Sequence, residues 1–327
     1  MATLDDVATA AGVSKATASR ALGRPELVAK ETITRVRRAA EALGFEPSRT
    51  ARALARGRTG LLTLVLPSIQ NTFFAPIIEG AQAAAEESGN HLTMAVNGMA
   101  TDADRRALER LAEQVDGLVL NASQANRDIV EHATTLAPTV LIERELPGVP
   151  SVTADTAAAF AQLAQELAAR GHRKIAYLGG PEGSWPHEMR TAAIRQALQG
   201  RAELTVVGPV PPLAESGIRQ ADAVLATGAT AVLVYASPVA LGLMYALQLR
   251  GVRVPQDLVV SGDRRTAAAL GASGVPSVDV DGLAIGRQSV GLLLQLLEFR
   301  ALQERGLDVP ALAQPEQLRL AVPVHWS

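Results

Sequence analysis

From residue 60 onward the chain repeats one pattern, a short run of Val, Leu and Ile followed by a stretch whose apolar residues recur at helical spacing. LLTLVLP (61–67), HLTMAVN, DGLVLNA, KIAYLGG, ELTVVGP, TAVLVYA and DLVVSGD read as strands. PIIEGAQAAAEESG, DRRALERLAEQ, FAQLAQELAARG, TAAIRQALQG, SGIRQADAVLATG and VALGLMYALQLRG read as the helices between them. Strands buried on both faces and separated by helices form parallel sheets, because parallel neighbours need a crossover and right-handed crossovers lay helices on the sheet faces. The rhythm breaks near residues 146–156, so two doubly wound parallel-sheet lobes are expected. The first takes about 60–152 and 281–310, the second about 155–278 and 314–327. LAIGRQSVGLLLQLLEFRAL is expected as a helix on the first lobe, and EQLRLAVPVHW as one last strand returning to the second. Such sheets bind ligands beyond the carboxyl ends of their strands, so the polar residues just after each strand are the ones to inspect.

The first 58 residues are different in kind. They hold eleven Lys/Arg and six Asp/Glu, a net +5, within a chain of 327 residues whose total is −2. A small basic module on an acidic body suits a head that binds a polyanion. Leu4, Val7, Ala8 and Ala11 recur at helical spacing, Gly12 supplies a tight turn, Val13 plugs it, and Ser14 is placed to cap a short polar helix, Lys15 to Leu22. A third helix is expected from about Lys30 to Leu43, with Ile33, Val36, Ala40 and Leu43 inward. Helix, GVS turn, polar helix and third helix make a helix-turn-helix, whose second helix enters the major groove of DNA.

The match runs beyond the motif. LDDVATAAGVSKATASRAL followed by VAKETITRVRRAAEALGFEPSRTARALARGRTG resembles the LacI/GalR repressor family through its headpiece and hinge. The resemblance implies an all-α helix-turn-helix headpiece over 1–46, a hinge over 47–59 that forms a short helix on DNA, and a periplasmic-binding-protein-like core over 60–327 that binds an effector. It places Lys15, Ala16 and Arg20 where the family reads bases, and Ser14, Thr17 and Ser19 where it touches the DNA backbone. In the hinge it places Leu54 where a leucine wedges between base pairs, with Ala53 beside it and Arg49 near phosphates; such a wedge kinks the duplex. Gly23 stands where the family usually has Asn, and Ala29 replaces the usual Ser cap of the third helix, a change that costs about 1 kcal/mol of helix stability.

In the core, Asn71 and Phe73 follow the first strand in a segment resembling the family's NPFF, and Phe74 reads as core filling. Asn121 and Ser123 follow the third strand. The loop PEGSWPHEMR carries Trp185 and Arg190, the latter where the family's effector-binding Arg falls, and Asp263 falls where the family has a ligand-binding Asp. An Arg and an Asp meeting in a cleft grip hydroxyls, which is sugar-like chemistry, and Trp185 or Phe73 would stack on an apolar face. The family's Asn-Asp reads Ala236-Ser237 here, Gly262 replaces an aromatic, and Ala154 precedes Asp155 where Asp-Asn is usual. Fewer polar grips argue either that the ligand is not one of the family's commoner free sugars or that it binds in a shifted pose.

With no Cys, thiolate metal sites and thiol nucleophiles are excluded. The five His (91, 132, 172, 187, 325) form no metal spacing, and GxSxG, GxxxxGK[ST], HExxH and a Rossmann glycine triplet are all missing, so no cofactor and no catalysis are expected. MATLDDVATA lacks a signal-peptide pattern and no stretch reaches eighteen apolar residues, so a cytoplasmic protein without a membrane partner is expected. A periplasmic-type solute-binding protein would need an export signal and no headpiece. No leucine-heptad tail follows the last strand, so the expected assembly is a homodimer on a pseudo-palindromic double-stranded operator, controlled by a small, carbohydrate-related effector.

Overall fold

A computed structural model describes residues 2–23, 27–45, 58–269, 271, 274–306 and 316–326. The chain forms two compact units, one of residues 1–61 with 114–116 and one of the remainder.

The first unit contains α1 (Leu4–Ala10), α2 (Lys15–Gly23) and α3 (Lys30–Ala42). Thr3 starts α1 with a reciprocal capping box, its hydroxyl accepting from the Asp6 N–H while the Asp6 carboxylate accepts from the Thr3 N–H. Gly12 takes the left-handed conformation that the turn requires, φ 63°. Ser14 then caps α2 through a bond from the Thr17 N–H to its Oγ, 3.1 Å. Ala29 gives α3 no side-chain cap, as its residue type implies. Val7, Ala18, Ala21, Val36 and Ala40 form the core of this unit. Leu43, expected inward, is 41% exposed. The helix stops one residue before it, and a Schellman motif, with the Phe45 N–H on the Ala40 carbonyl and the Gly44 N–H on that of Glu41, packs Phe45 against the core instead.

In the second unit, β1 (Leu61–Leu66), β2 (His91–Val96), β3 (Gly117–Asn121), β4 (Thr139–Ile142) and β5 (Ser151–Ala154) belong to one sheet. Around them lie α4 (Phe74–Glu87), α5 (Asp102–Ala112) and α6 (Arg127–Leu136). The second lobe has α7 (Thr156–Ala169), β6 (Lys174–Leu178), α8 (Trp185–Leu198), β7 (Glu203–Val207), α9 (Ala214–Ala226), β8 (Ala231–Val234), α10 (Ser237–Leu249) and β9 (Val259–Val260). Its four strands run in the order β7-β6-β8-β9, all parallel. β10 (Gly262–Asp263), α11 (Arg264–Ala269), β11 (Pro276–Val278), α12 (Gly282–Glu304), β12 (Gln317–Leu320) and β13 (Val324–Trp326) complete the chain.

Two doubly wound sheets are therefore present, but the last segment departs from expectation. EQLRLAVPVHW is two strands. β12 pairs parallel to β5 and closes the first lobe's sheet, whose order is β12-β5-β4-β3-β1-β2, while β13 runs antiparallel to β11 in a separate three-stranded sheet, β10-β11-β13. Pro323 lies between them and has no N–H to give a ladder; its carbonyl accepts from the Asp279 N–H. The third sheet arises where β9 ends: Ser261 Oγ accepts the Val234 N–H at 2.9 Å, so a side chain replaces a backbone partner and the next two residues pair elsewhere.

Each lobe contains one very close helix crossing. A Cβ on Gly80 of α4 would overlap the Leu283 carbonyl, and one on Gly286 of α12 the Ile77 carbonyl. Gly217 of α9 and Gly242 of α10 stand in the same relation to the carbonyls of Val239 and Ala214.

Candidate functional sites

The carboxyl ends of both lobes' sheets open onto one cavity of about 390 Å³. Asn71, Phe73, Asn121, Ser123, Arg190, Ser237 and Asp263 all line it, so seven residues from five separate stretches of the chain share one space. Trp185 is not on its wall; it is half-buried at the start of α8, and its N–H donates to the Ser123 carbonyl, 2.8 Å. Phe74 is 6% exposed and serves both the core of the first lobe and the cavity wall.

Arg190 is the most constrained side chain of the site. It projects from α8, is 8% exposed, and donates from Nε to Thr156 Oγ1 at 2.9 Å and from Nη1 to the Tyr235 carbonyl at 2.8 Å. Its guanidinium carbon lies 4.8 Å from the Phe160 ring centroid and 4.9 Å from that of Tyr235. The Tyr235 ring fits only because Gly180 has no side chain, and its hydroxyl bonds Ser184 Oγ at 2.9 Å. Behind it His187 stacks on Tyr177, centroids 5.6 Å apart and planes inclined 20°, and accepts the Gly180 N–H on Nδ1. Burial, and then the nearby Arg190 charge, push the His187 pKa down, which keeps the ring neutral and able to accept.

Two buried polar atoms on the wall lack partners among the described residues. Asn121 accepts from the Ser123 hydroxyl through Oδ1, 2.8 Å, and its Nδ2 is unpaired. Asp263 accepts the Thr266 N–H through Oδ1, 2.9 Å, and its Oδ2 is unpaired. An unpaired buried polar group costs about 1–3 kcal/mol, so both residues hold hydrogen-bonding capacity that the described fold leaves unused.

Glu143 was not among the expected site residues. It follows β4, is 3% exposed, adopts a left-handed backbone (φ 57°) and lines the cavity, with Oε1 accepting the Ala154 N–H at 3.0 Å. Burial raises its pKa, opposed by that bond and by Arg190. A non-glycine residue held at positive φ in a cavity wall is the kind of backbone cost that functional sites retain. In sequence it hides within ERE, where its neighbour Glu145 makes an ion pair with Arg319. The one available signal was its place after a parallel strand. Tyr235 was missed for the same reason, since it looked like the last residue of a buried run. At the remaining altered positions, Ala236 and Gly262 line the cavity without a polar side chain.

In the first unit, Lys15, Ala16 and Arg20 are exposed along α2, with Ser14 exposed at its start and Thr17 and Ser19 half-buried. Lys15 Nζ pairs with Asp5 Oδ2 of α1 at 2.6 Å. Arg49, Ala53 and Leu54 lie outside the described residues. Among those residues no helix is long and apolar enough to cross a membrane.

Residues 3–48 match the model of bacterial regulatory proteins, lacI family, and residues 59–310 that of periplasmic binding proteins and the sugar binding domain of LacI family. The HTH-type transcriptional regulator PtxS of Pseudomonas plecoglossicida is 31% identical over 318 residues, 94% of this chain and 93% of its own. The ribose operon repressor of Halalkalibacterium halodurans is 28% identical, covering 95% of both chains. Among solved structures, the lac repressor dimer bound to operator and the anti-inducer ONPF superposes with a TM-score of 0.80 at 27% identity, covering 99% of this chain and 97% of that one. The CelR–cellobiose complex superposes at 0.69 with 25% identity, covering 99% and 98%.

Proposed function

Because the chain belongs to the LacI family of bacterial regulatory proteins across both its units, we propose that it represses a catabolic operon from the cytoplasm, as a homodimer whose operator affinity is set by a sugar or sugar-like metabolite. The observation that carries the ligand half of this reading is the cavity: an Arg fixed by two protein acceptors and two rings shares its wall with Asn71, Asn121, Ser123, Ser237 and Asp263. Hydroxyl groups of a neutral polyol suit the guanidinium, carboxylate, amides and hydroxyls of these residues, and Phe73 offers an apolar face. In this reading Asn71, Ser123, Ser237 and Asp263 hold the effector with Arg190, and Glu143 joins them.

The DNA half assigns base contacts to Lys15, Ala16 and Arg20, backbone contacts to Ser14, Thr17, Ser19 and Arg49, and the minor-groove wedge to Leu54 with Ala53 beside it. The relatives are regulators, and the proposal assigns no catalysis to the cavity. Effector binding changes the population of the DNA-competent state, so DNA must alter effector affinity by the same factor.

The test uses a duplex that the full chain enriches from a random library. Its affinity is measured against a panel of neutral sugars, glycosides and sugar acids, with wild type and Arg190→Ala. At least one compound should shift wild-type affinity about 5- to 150-fold, and none should shift the variant, which still binds the duplex. A wild-type affinity indifferent to the whole panel, or loss of DNA binding with the Arg190 side chain, would contradict the reading.

A further inference from the structure

The acidic first turn of α1 contains two carboxylates with different duties. Asp6 is consumed by the cap: it accepts from the Thr3 N–H and from the Thr3 hydroxyl, both at 2.8 Å, and those bonds hold its pKa below the usual carboxylate range. Asp5 has no part in the cap. Its carboxylate reaches across ten residues of sequence to the Lys15 ammonium, 2.6 Å away, at the first position of α2. Both side chains stay more than 60% exposed, and an exposed pair of this kind contributes little to folding. Stability is therefore a poor reason for an acid in this place.

Geometry supplies a better one. The residues at the N-terminal end of a recognition helix are those that reach base edges. An ammonium has three donors in fixed tetrahedral directions, and one of them is taken by Asp5, leaving two to meet an acceptor pair such as guanine O6 and N7. A free lysine on a long flexible stem would instead swing to the nearest phosphate, where it adds affinity for any sequence.

We propose that Asp5 is a positioning residue for sequence recognition: it buttresses Lys15 toward a base edge and keeps its charge off the phosphates. The proposal rests on the repressor reading above. It makes this pair a determinant of the ratio between specific and non-specific binding, which neither side chain would set alone.

The experiment uses the full chain as wild type, Asp5→Asn, Lys15→Ala and the double variant. Binding is measured to the duplex enriched by the wild type and to unselected random duplex, between about 50 and about 200 mM salt. Releasing one lysine to a phosphate steepens the salt dependence of random-duplex binding by about 0.9 in log–log slope, or roughly fivefold tighter binding near 0.15 M salt. Asp5→Asn should show that gain on random duplex, with unchanged or weaker binding to the enriched duplex, and the gain should vanish in the Lys15→Ala background. Equal tightening on both duplexes, or a gain that persists without Lys15, would mean that Asp5 acts only through net charge and would overturn the proposal. So would an unchanged salt slope. A shifted base preference at the position that Lys15→Ala does not affect would make Asp5 a base reader, again overturning it. If the wild type enriches no sequence at all, the repressor reading fails, while the random-duplex comparison still decides whether Asp5 restrains Lys15.

Discussion

At the scale of single residues, the candidate site is a problem of satisfying a buried guanidinium. Thr156 supplies the acceptor for Arg190 Nε, and the Tyr235 carbonyl that for Nη1. Thr156→Val keeps the shape and removes the acceptor, so unfolding in urea should show a loss of about 1–3 kcal/mol, with Thr156→Ser close to wild type. Equal stability of the Val and Ser variants would show that this bond holds nothing. The histidines give a pH dependence with a definite sign. Burial lowers the pKa of both His172 and His187 from 6.5, reinforced by Arg170 and Arg190 respectively. The unfolded chain therefore takes up protons first as pH falls through 6.5, so their contribution to stability is complete above that value and declines below it toward the lower folded pKa. Urea midpoints taken from about pH 7.5 to about pH 5.5 should fall in the wild type and fall less steeply in a His172→Gln/His187→Gln variant. Parallel curves would contradict the assignment. Arg190 and Asp263 were legible as candidates because the resemblance to the LacI/GalR family places an effector-binding Arg and Asp at those positions; Asp263 also follows an expected strand, whereas Arg190 lies within α8. Glu143 directly follows β4 but was passed over because its left-handed backbone is not legible within ERE, and Tyr235 because a ring slotted over Gly180 is a product of tertiary packing that leaves no local pattern.

At the scale of elements, the helix crossings make predictions of opposite sign within α12. Gly286→Ala would drive a methyl group into the Ile77 carbonyl and should cost about 1–3 kcal/mol or more. Gly291 has nothing within 4 Å of its virtual Cβ, so Gly291→Ala should stabilise the same helix by about 0.5–1 kcal/mol. Thermal melts of the two variants check both; a shift of the same direction in each would contradict the packing described. The parallel strands were legible because burial on both faces turns them into unbroken Val/Leu/Ile runs. Strand partnership was less so. QLRL and VHW are too short to announce which sheet they join, and their separation depends on Pro323 and on β5 offering an open edge in the first lobe. The Leu43 position failed for a related reason, since a helix that ends in a Schellman motif transfers its last inward place to Phe45.

At the scale of the whole molecule, two units with different physics sit on one chain. The first, small and basic, has a core built of Val and Ala and an exposed polar helix; the second has two parallel sheets that share a ligand-sized cavity. The charge asymmetry between residues 1–58 and the rest announced this division before any element was assigned. Regulation requires that the cavity and the DNA-binding unit be energetically coupled, and that the DNA-binding unit recognise sequence and not merely charge. The most direct measurement is enrichment of duplexes from a random library by the full chain at near-physiological salt, with unselected DNA as competitor. A dimeric repressor should enrich an inverted repeat with half-sites about one helical turn apart. Recovery of no motif, with affinity that simply falls as salt rises, would contradict it.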